Sequence, residues 1–170
     1  MNFVSCTHAK HAAAILAIFN DAILHSTALY EEQPRPPESM IDWFRTKEAG
    51  GFPVIGAEDA SGRLAGFATY GTFRAYAGYR HTAEHSVYVQ KEFQGQGLGH
   101  ALMTRLIETA TLRHIHTLVG VIDAGNPASI ALHEKLGFTQ AGTLKEAGTK
   151  FGRWLDVRFY QLILDTPIRK

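Results

Sequence analysis

The stretch EHSVYVQKEFQGQGLGHALM, residues 84–103, decides the fold of this 170-residue chain. Its first residues, Glu84–Val89, alternate in polarity and are rich in β-branched and aromatic side chains, which predicts a strand. From Gly97 to Arg113 the apolar residues change to helical spacing and predict a core-facing helix, with a stripe of Leu98, Leu102, Leu106, Ile107 and Ala110. A strand therefore passes into a helix through a short connection.

Three glycines, Gly95, Gly97 and Gly99, stand where this strand ends and the helix begins. A helix N-terminus exposes N–H groups without partners and carries the positive end of the helix dipole, so an anion such as pyrophosphate can bind there. Glycine removes the side chains that would keep those amides from phosphate oxygens. The segment predicts an anion-binding loop, with a plain flexible turn as the alternative. Its spacing matches neither a Walker loop nor the Gly-x-Gly-x-x-Gly dinucleotide motif.

The flanking sequence predicts strands and helices in the order of a mixed α/β domain. A first strand, NFVSC, precedes a helix over residues 8–22, and a second helix is expected to open at Pro37 and stop at the glycine pair 50–51. A hairpin, FPVIGAED and RLAGFATYGTF, then leads to the quoted stretch. Beyond it the pattern predicts a strand at 116–123, a helix at 126–136, and strands near 140–146 and 155–164. We expect one domain over residues 1–170.

Composition argues against several classes of function. The formal net charge is +1 and the lysines and arginines are scattered, so we expect neither a nucleic-acid nor a membrane partner. The TPIRK tail is interpreted as a solvated end. One cysteine, Cys6, cannot form an intramolecular disulfide, and the N-terminus lacks a clear signal pattern, which together predict a cytoplasmic protein. Nine histidines without supporting cysteines predict no metal site.

Two segments of the chain carry recognisable motifs: Gln94-x-x-Gly97-x-Gly99 after an apolar strand, and NPASIALHEKLGF at residues 126–138. The first is similar to the acetyl-CoA signature of the GNAT N-acetyltransferase superfamily, and the second to that superfamily's second cofactor segment. HTAEHSVYV, LHEKLGF and GTKFGRWLDVRFYQL resemble the branch of phosphinothricin and methionine sulfoximine/sulfone acetyltransferases. The resemblance covers nearly the whole chain. It implies a GNAT fold: a mixed, mostly antiparallel twisted sheet of six to seven strands, a splayed central pair and four main helices. It also implies a homodimer.

For the cofactor, the resemblance implies acetyl-CoA without a metal. The strand before the glycine loop is expected to bulge and to splay from the next strand, so that its backbone pairs with the pantetheine arm. Asn126 matches a residue that contacts the pantetheine or thioester, and it could also cap a helix. The cofactor-binding residues implied are Val87, Tyr88, Val89, Gln94, Gly95, Gln96, Gly97, Leu98, Gly99, His100, Asn126 and Ser129.

For the chemistry, the resemblance implies direct attack of an amine on the thioester, without an acyl-enzyme. An ammonium is not a nucleophile, so a base must take its proton. Glu84 matches the branch's catalytic carboxylate, with a strand-end ion pair as the alternative. His85 is a second choice that should face the opposite side of the strand. His133 stands where many members carry a tyrosine that donates to the thiolate. It could be that donor or simply pack on its helix, and Tyr88 is another possible donor.

For the substrate, the resemblance implies a small amino acid such as methionine sulfoximine, methionine sulfone or, more weakly, phosphinothricin. Arginine suits planar oxyanions, and Arg74 and Arg80 flank an aromatic loop, with a surface arginine in a mobile loop as the alternative for each. The expected contacts are Tyr30, Phe73, Arg74, Tyr76, Tyr79, Arg80 and Lys150, the last placed with Trp154 in a loop between the final strands. Alternatives are a transferase for a protein N-terminus or polyamine, and a non-catalytic acyl-CoA sensor.

Overall fold

The computed structural model describes residues 1–166, so most of the expected solvated tail lies outside the described residues. Within that range the chain forms one seven-stranded sheet and four α-helices, with short 3₁₀ turns at Ala77–Tyr79 and Lys91–Phe93. The elements run in this order: β1 Asn2–Ser5, α1 His8–His25, α2 Ser39–Ala49, β2 Val54–Glu58, β3 Leu64–Thr72, β4 Thr82–Val89, α3 Leu98–Leu112, β5 Thr117–Asp123, α4 Pro127–Lys135, β6 Thr139–Lys150 and β7 Arg153–Ile163.

The sheet order is β1-β2-β3-β4-β5-β7-β6, and its neighbouring strands are antiparallel except for the parallel pair β4–β5. Helix α3 connects that parallel pair, as a crossover requires. The predicted α/β fold class and the mostly antiparallel sheet with four helices are confirmed.

Two apolar clusters cover the two faces of the sheet and fix where α1 and α3 lie. On one face, Leu102 and Leu106 of α3 are fully buried together with Leu118 of β5. On the other face, Phe19 of α1 packs edge to face on Phe67 of β3, with ring centroids 5.3 Å apart. Burying a leucine or phenylalanine side chain stabilises a fold by about 1.5–3 kcal/mol. Both helices are therefore anchored, and each flanks the parallel pair from its own side.

Several predicted boundaries are wrong in instructive ways. Helix α1 continues to His25, and α2 begins at Ser39, two residues after Pro37. The last two strands are longer than expected and meet at a turn of only Phe151 and Gly152. The bulge expected in β4 is absent, because β4 pairs with β3 in continuous register from Thr72–Ala83 to Gly66–Val89.

Candidate active site

The parallel ladder between β4 and β5 covers only half of β4. It runs from the pair Thr82–Thr117 to the pair His85–Gly120 and ends there. Beyond that point the strands separate, as the resemblance implied, and a cleft of about 1200 Å³ opens between them. The backbone of Val87–Val89 keeps its β3 partners but has none on β5. That edge is free to pair with an extended ligand as an added strand would.

The glycine loop closes the wide end of this gap. Gly95 and Gly97 have φ of 73° and 79°, a left-handed region that glycine adopts without a steric cost. A side chain added at either position would meet no atom within 4 Å, so the space above the loop is open. Helix α3 begins after Gly97 with no side-chain cap, and the N–H groups of its first turn are therefore available to an anion.

Gly99 has a different role in the same loop. A Cβ there would lie 3.4 Å from Leu132 of α4, so glycine allows the first turn of α3 to approach α4 closely. Gln94 secures the loop from the other side, since its Nε2 donates to the carbonyl of Val89 at 2.9 Å. The loop is thus held between β4 and α4 before any ligand arrives.

Helix α4 brings the second predicted cofactor segment to the opposite wall. Asn126 accepts a hydrogen bond from the N–H of Ser129 at 3.1 Å, and Pro127 follows at the first helical position. The helix-capping alternative for Asn126 is therefore correct, while its amide nitrogen remains for a ligand. The predicted residues that line the cleft are Val87, Tyr88, Val89, Gln94, Gly95, Gly97, Leu98, Gly99, Asn126, Ser129 and His133.

Two predicted cofactor residues lie beside the cleft instead. The Gln96 side chain turns back and donates to the carbonyl of Glu92 at 3.0 Å. His100 stands in the first turn of α3, and its backbone carbonyl accepts from the Thr104 hydroxyl at 2.9 Å. Both can still contribute backbone N–H groups to a bound anion.

Two buried histidines meet where the strands separate. His85 Nε2 lies 2.8 Å from His133 Nε2, and His133 Nδ1 donates to the carbonyl of Ser129 at 2.6 Å. Both rings line the cleft. Burial lowers the pKa of His133. Burial and then His133 lower the pKa of His85 to about 3, against a smaller opposing effect of the Val119 backbone.

Glu84 lies one residue before the end of the ladder, on the opposite side of β4 from His85. It pairs with Gly71 and Val119 and shares its face with Tyr88, whose ring packs 5.3 Å from Phe19 of α1. The carboxylate reaches solvent and does not line the cleft. Desolvation by its surroundings still raises the pKa of Glu84, and the nearby Arg74 guanidinium partly lowers it. The resulting group is a carboxylate that takes up protons more readily than usual.

The predicted substrate residues are spread over two regions outside the cleft. Phe73 and Tyr79 pack at 5.8 Å between ring centroids, Tyr76 is 78% exposed, and Arg80 donates to the carbonyl of Ala77. This aromatic loop lies on the Glu84 side of the molecule, because Arg74 is close enough to act on that carboxylate.

Lys150 is in a different place from the one predicted. It ends β6, is buried, and donates from Nζ to the carbonyl of Leu29. Desolvation lowers its pKa, and it lines a separate cavity of about 300 Å³. The loop prediction for Lys150 and Trp154 is wrong, since both belong to paired strands.

The sequence reasoning missed a buried carboxylate in the cleft wall. Asp123 ends β5, and its two oxygens accept hydrogen bonds from the hydroxyls of Thr27 and Tyr30, the latter at 3.3 Å. Burial and then Asp123 raise the pKa of Tyr30 to about 12. This carboxylate ties the α1–α2 connection to β5. The sequence did offer a signal for Asp123, because an acidic residue ends a predicted strand three residues before Asn126.

A cation was missed as well. Arg153, directly after the final turn, lines the cleft beside Phe151.

Within residues 1–166, no group of three or more histidine, cysteine, aspartate or glutamate side chains is placed to hold a metal ion. None of the helices in that range is long and apolar enough to cross a membrane.

The uncapped start of α3 suits a phosphate and the free edge of β4 suits an extended arm, which is the combination that an acyl-CoA cofactor offers. The chain belongs to the Acetyltransferase (GNAT) family, whose profile matches residues 16–138, and it is an acyltransferase.

Its relatives carry more specific names. An L-methionine sulfoximine/L-methionine sulfone acetyltransferase from Pseudomonas aeruginosa is 46% identical over 151 residues, which is 89% of this chain and 88% of that protein. A solved acetyltransferase structure from Acinetobacter baylyi has a TM-score of 0.98 at 54% identity, covering 99% of this chain and 96% of that one. A phosphinothricin acetyltransferase from Sinorhizobium meliloti, solved in complex with acetyl-CoA, has a TM-score of 0.92 at 35% identity. The match covers 96% of this chain and 88% of that one.

Proposed function

We propose that the chain transfers acetyl from acetyl-CoA to the α-amine of a small amino acid, with methionine sulfoximine and methionine sulfone as preferred substrates and phosphinothricin as a weaker one. One observation carries the proposal: the β4–β5 ladder ends at His85–Gly120. An arm anchored at the glycine loop and paired along Val89 to Val87 would bring its acyl end to that point, one residue from Glu84. The names of the relatives support the choice of substrates.

Glu84 is the proposed general base. The amine arrives as an ammonium ion and attacks only after losing a proton. A carboxylate whose pKa is raised by desolvation is a better proton acceptor than an ordinary glutamate. Because the Glu84 carboxylate reaches solvent and does not itself line the cleft, the proton passes to it through water. Cys6 gives no alternative covalent route, since it is buried under α1 and burial raises the pKa of its thiol to about 12.

The substrate's acidic group is proposed to bind arginine. Arg74 and Arg80 remain the expected partners on the Glu84 side, and Arg153 joins them because it lines the cleft. Tyr30 stays a proposed substrate contact, because its hydroxyl donates a hydrogen bond to Asp123 in the cleft wall. For the leaving thiolate, Tyr88 and His133 both line the cleft, and burial raises the pKa of Tyr88 to about 12, so that hydroxyl holds its proton.

We also propose that the chain works as a homodimer. The final hairpin and β5 leave large apolar side chains in contact with solvent, which supports a protein partner at this end of the sheet. They are Val121, Leu144, Phe151, Trp154 and Ile163, of which Trp154 is 65% exposed. Light scattering of the purified protein tests the dimer, and a monomeric mass at micromolar concentration would refute it.

A thiol-release assay with acetyl-CoA tests the activity. The panel is methionine sulfoximine, methionine sulfone, phosphinothricin and spermidine, at equal concentration and pH. We expect the highest kcat/KM for the first two and a lower value for phosphinothricin. Preference for spermidine would replace the amino-acid proposal with a polyamine transferase. Acetyl-CoA binding without thiol release on any amine would indicate a sensor.

A further inference from the structure

His85 and His133 make a contact that requires one proton between them. Their Nε2 atoms are 2.8 Å apart, and two lone pairs at that distance repel unless one nitrogen carries hydrogen. His133 Nδ1 lies 2.6 Å from the Ser129 carbonyl oxygen, which can only accept. The neutral His133 ring therefore carries its hydrogen on Nδ1, and the shared hydrogen belongs to His85 Nε2.

This assignment leaves one free lone pair in the pair of rings. With its hydrogen on Nε2, His85 has an unprotonated Nδ1, and that atom is buried without a hydrogen bond in the described chain, while the nearby Val119 backbone favours the uptake of a proton by this ring. Buried polar atoms are rarely left unpaired, and those that are often have a function. The two neutral rings can accept one further proton, and they have no N–H that is free to donate.

The histidine pair with its free lone pair lies where the reaction is expected to take place. His85 forms the last rung of the β4–β5 ladder, and both rings line the cleft at that vertex. The acyl end of an arm paired along Val87–Val89 arrives at the same vertex. We propose that His85 and His133 act as one proton-relay pair, which takes a proton from the attacking nitrogen and gives it to the leaving thiolate. This inference rests on the proposed transferase function.

The two protons that leave the substrate nitrogen are both accounted for. Glu84 takes the first proton of the ammonium, and the free amine attacks the thioester carbon to give an adduct with a positive nitrogen and a negative oxygen. The histidine pair accepts the second proton from that nitrogen. The C–S bond breaks as the carbonyl re-forms, and the pair returns the proton to the sulfur of coenzyme A. The pair ends neutral, and the net proton of the reaction stays with Glu84 and then passes to water.

The surroundings keep the resting pair neutral. Phe138 packs on both rings, at 5.0 Å from His85 and 5.1 Å from His133. Tyr160 of β7 faces His133 at 6.3 Å between ring centroids, but its hydroxyl donates to Glu134 of α4. On its own strand, Glu84 points to the opposite face. Burial lowers the pKa of both histidines, so a proton taken up here is readily given to a thiolate.

Nitrogen-15 NMR of histidine-labelled protein tests the resting state without any turnover. At pH 7 we expect two neutral rings of opposite tautomer, His133 with Nδ1–H and His85 with Nε2–H, assigned by the signals lost in His85→Gln. Two Nδ1–H tautomers, or a cationic ring in the resting protein, would overturn the inference. This result is independent of whether any amine is acetylated.

Turnover of His85→Gln tests the relay itself. Glutamine keeps an N–H donor for His133 Nε2 and cannot accept a proton, so a positioning role alone would survive the change. We expect kcat to fall on the order of 10²-fold with unchanged acetyl-CoA affinity, while His81→Gln, outside the cleft, keeps the wild-type rate. A wild-type kcat in His85→Gln would overturn the relay and leave the proposed function intact. A wild type that acetylates no amine would refute the proposed function and leave the NMR test standing.

Discussion

His85 and Gly120 form the last rung of the parallel β4–β5 ladder, and the missing side chain of Gly120 makes room for the two imidazole rings. A Cβ on Gly120 would lie 3.0 Å from His85 Cε1 and 3.1 Å from His133 Nε2. Real Cβ atoms rarely approach other heavy atoms so closely, and both rings are held by neighbours. The glycine at the narrow end of the cleft is thus a packing requirement of the histidine pair.

Gly120→Ala should separate the two rings. Overpacking of a closed core costs about 1–3 kcal/mol, so we expect a loss of that size in the free energy of unfolding, measured by urea titration. Gly142→Ala is the matched control, because Gly142 also lies in a strand and its added Cβ would meet nothing within 4 Å. Equal stability of the two variants would show that the pair tolerates a methyl group between its rings.

The depressed pKa of His85 should make stability fall in acid. In the unfolded chain this group takes up a proton near its ordinary pKa of 6.5, whereas in the fold its pKa is about 3. The stability that neutral His85 contributes is therefore fully present above about pH 6.5 and is lost as the pH falls toward 3. At pH 5 the loss in the free energy of unfolding is about 2 kcal/mol. His85→Gln should remove that part of the loss between pH 7 and 5. If the free energy of unfolding of His85→Gln fell with pH as steeply as that of the wild type, His85 would take up its proton at the same pH in the folded and the unfolded chain.

Local pattern was enough to predict the parts of the site that one segment supplies. The glycine loop and the start of α4 each follow from residues adjacent in sequence, through glycine and helix capping, whereas the unpaired edge at Val87–Val89 was implied by the family resemblance. The register of β4 also placed His85 and Glu84 on opposite faces, as expected. These features depend on backbone geometry, which a short sequence determines.

Contacts between distant residues could not be predicted in the same way. Thr27 meets Asp123 across 96 positions, and His85 meets His133 across 48. Neither pairing leaves a pattern in a single chain. Lys150 was misplaced because nothing local shows that β6 continues to it or that it donates to Leu29.

Glu84→Gln should remove the base and leave the cofactor site unchanged. General-base catalysis typically contributes about 10²–10⁴-fold, so we expect kcat to fall at least 10²-fold while acetyl-CoA affinity, measured by calorimetry, stays at the wild-type value. Glu108→Gln, on the exposed side of α3, is the matched control. The base assignment is wrong if Glu84→Gln approaches the wild-type rate at saturating amine and elevated pH.

Gly97→Val should block the phosphate site. Gly97 and Gly62 have nearly the same φ, 79° and 82°, and an added Cβ at either would meet nothing within 4 Å. Backbone strain of about 1–2 kcal/mol is therefore common to both valine variants. Only Gly97 lies in the cleft, so we expect weaker acetyl-CoA binding in Gly97→Val and unchanged binding in Gly62→Val. Equal affinities of the two folded variants would refute the phosphate site at this loop.

Arg74→Ala should move the pH dependence of catalysis. The guanidinium of Arg74 favours the charged form of Glu84 and so lowers its pKa, against the larger effect of desolvation. Without Arg74 the pKa of Glu84 rises further, and the base stays protonated up to a higher pH. We therefore expect the acidic limb of kcat/KM to shift upward in pH, with a higher KM for anionic amino acids. Arg80→Ala is the control for the pH limb alone, because Arg74 acts on the pKa of Glu84 whereas the exposed Arg80 donates to the Ala77 carbonyl of its own loop. As the second proposed partner of the substrate's acidic group, Arg80 should still raise KM when it is replaced. An unshifted limb in Arg74→Ala would separate that limb from Glu84 and assign it to another group.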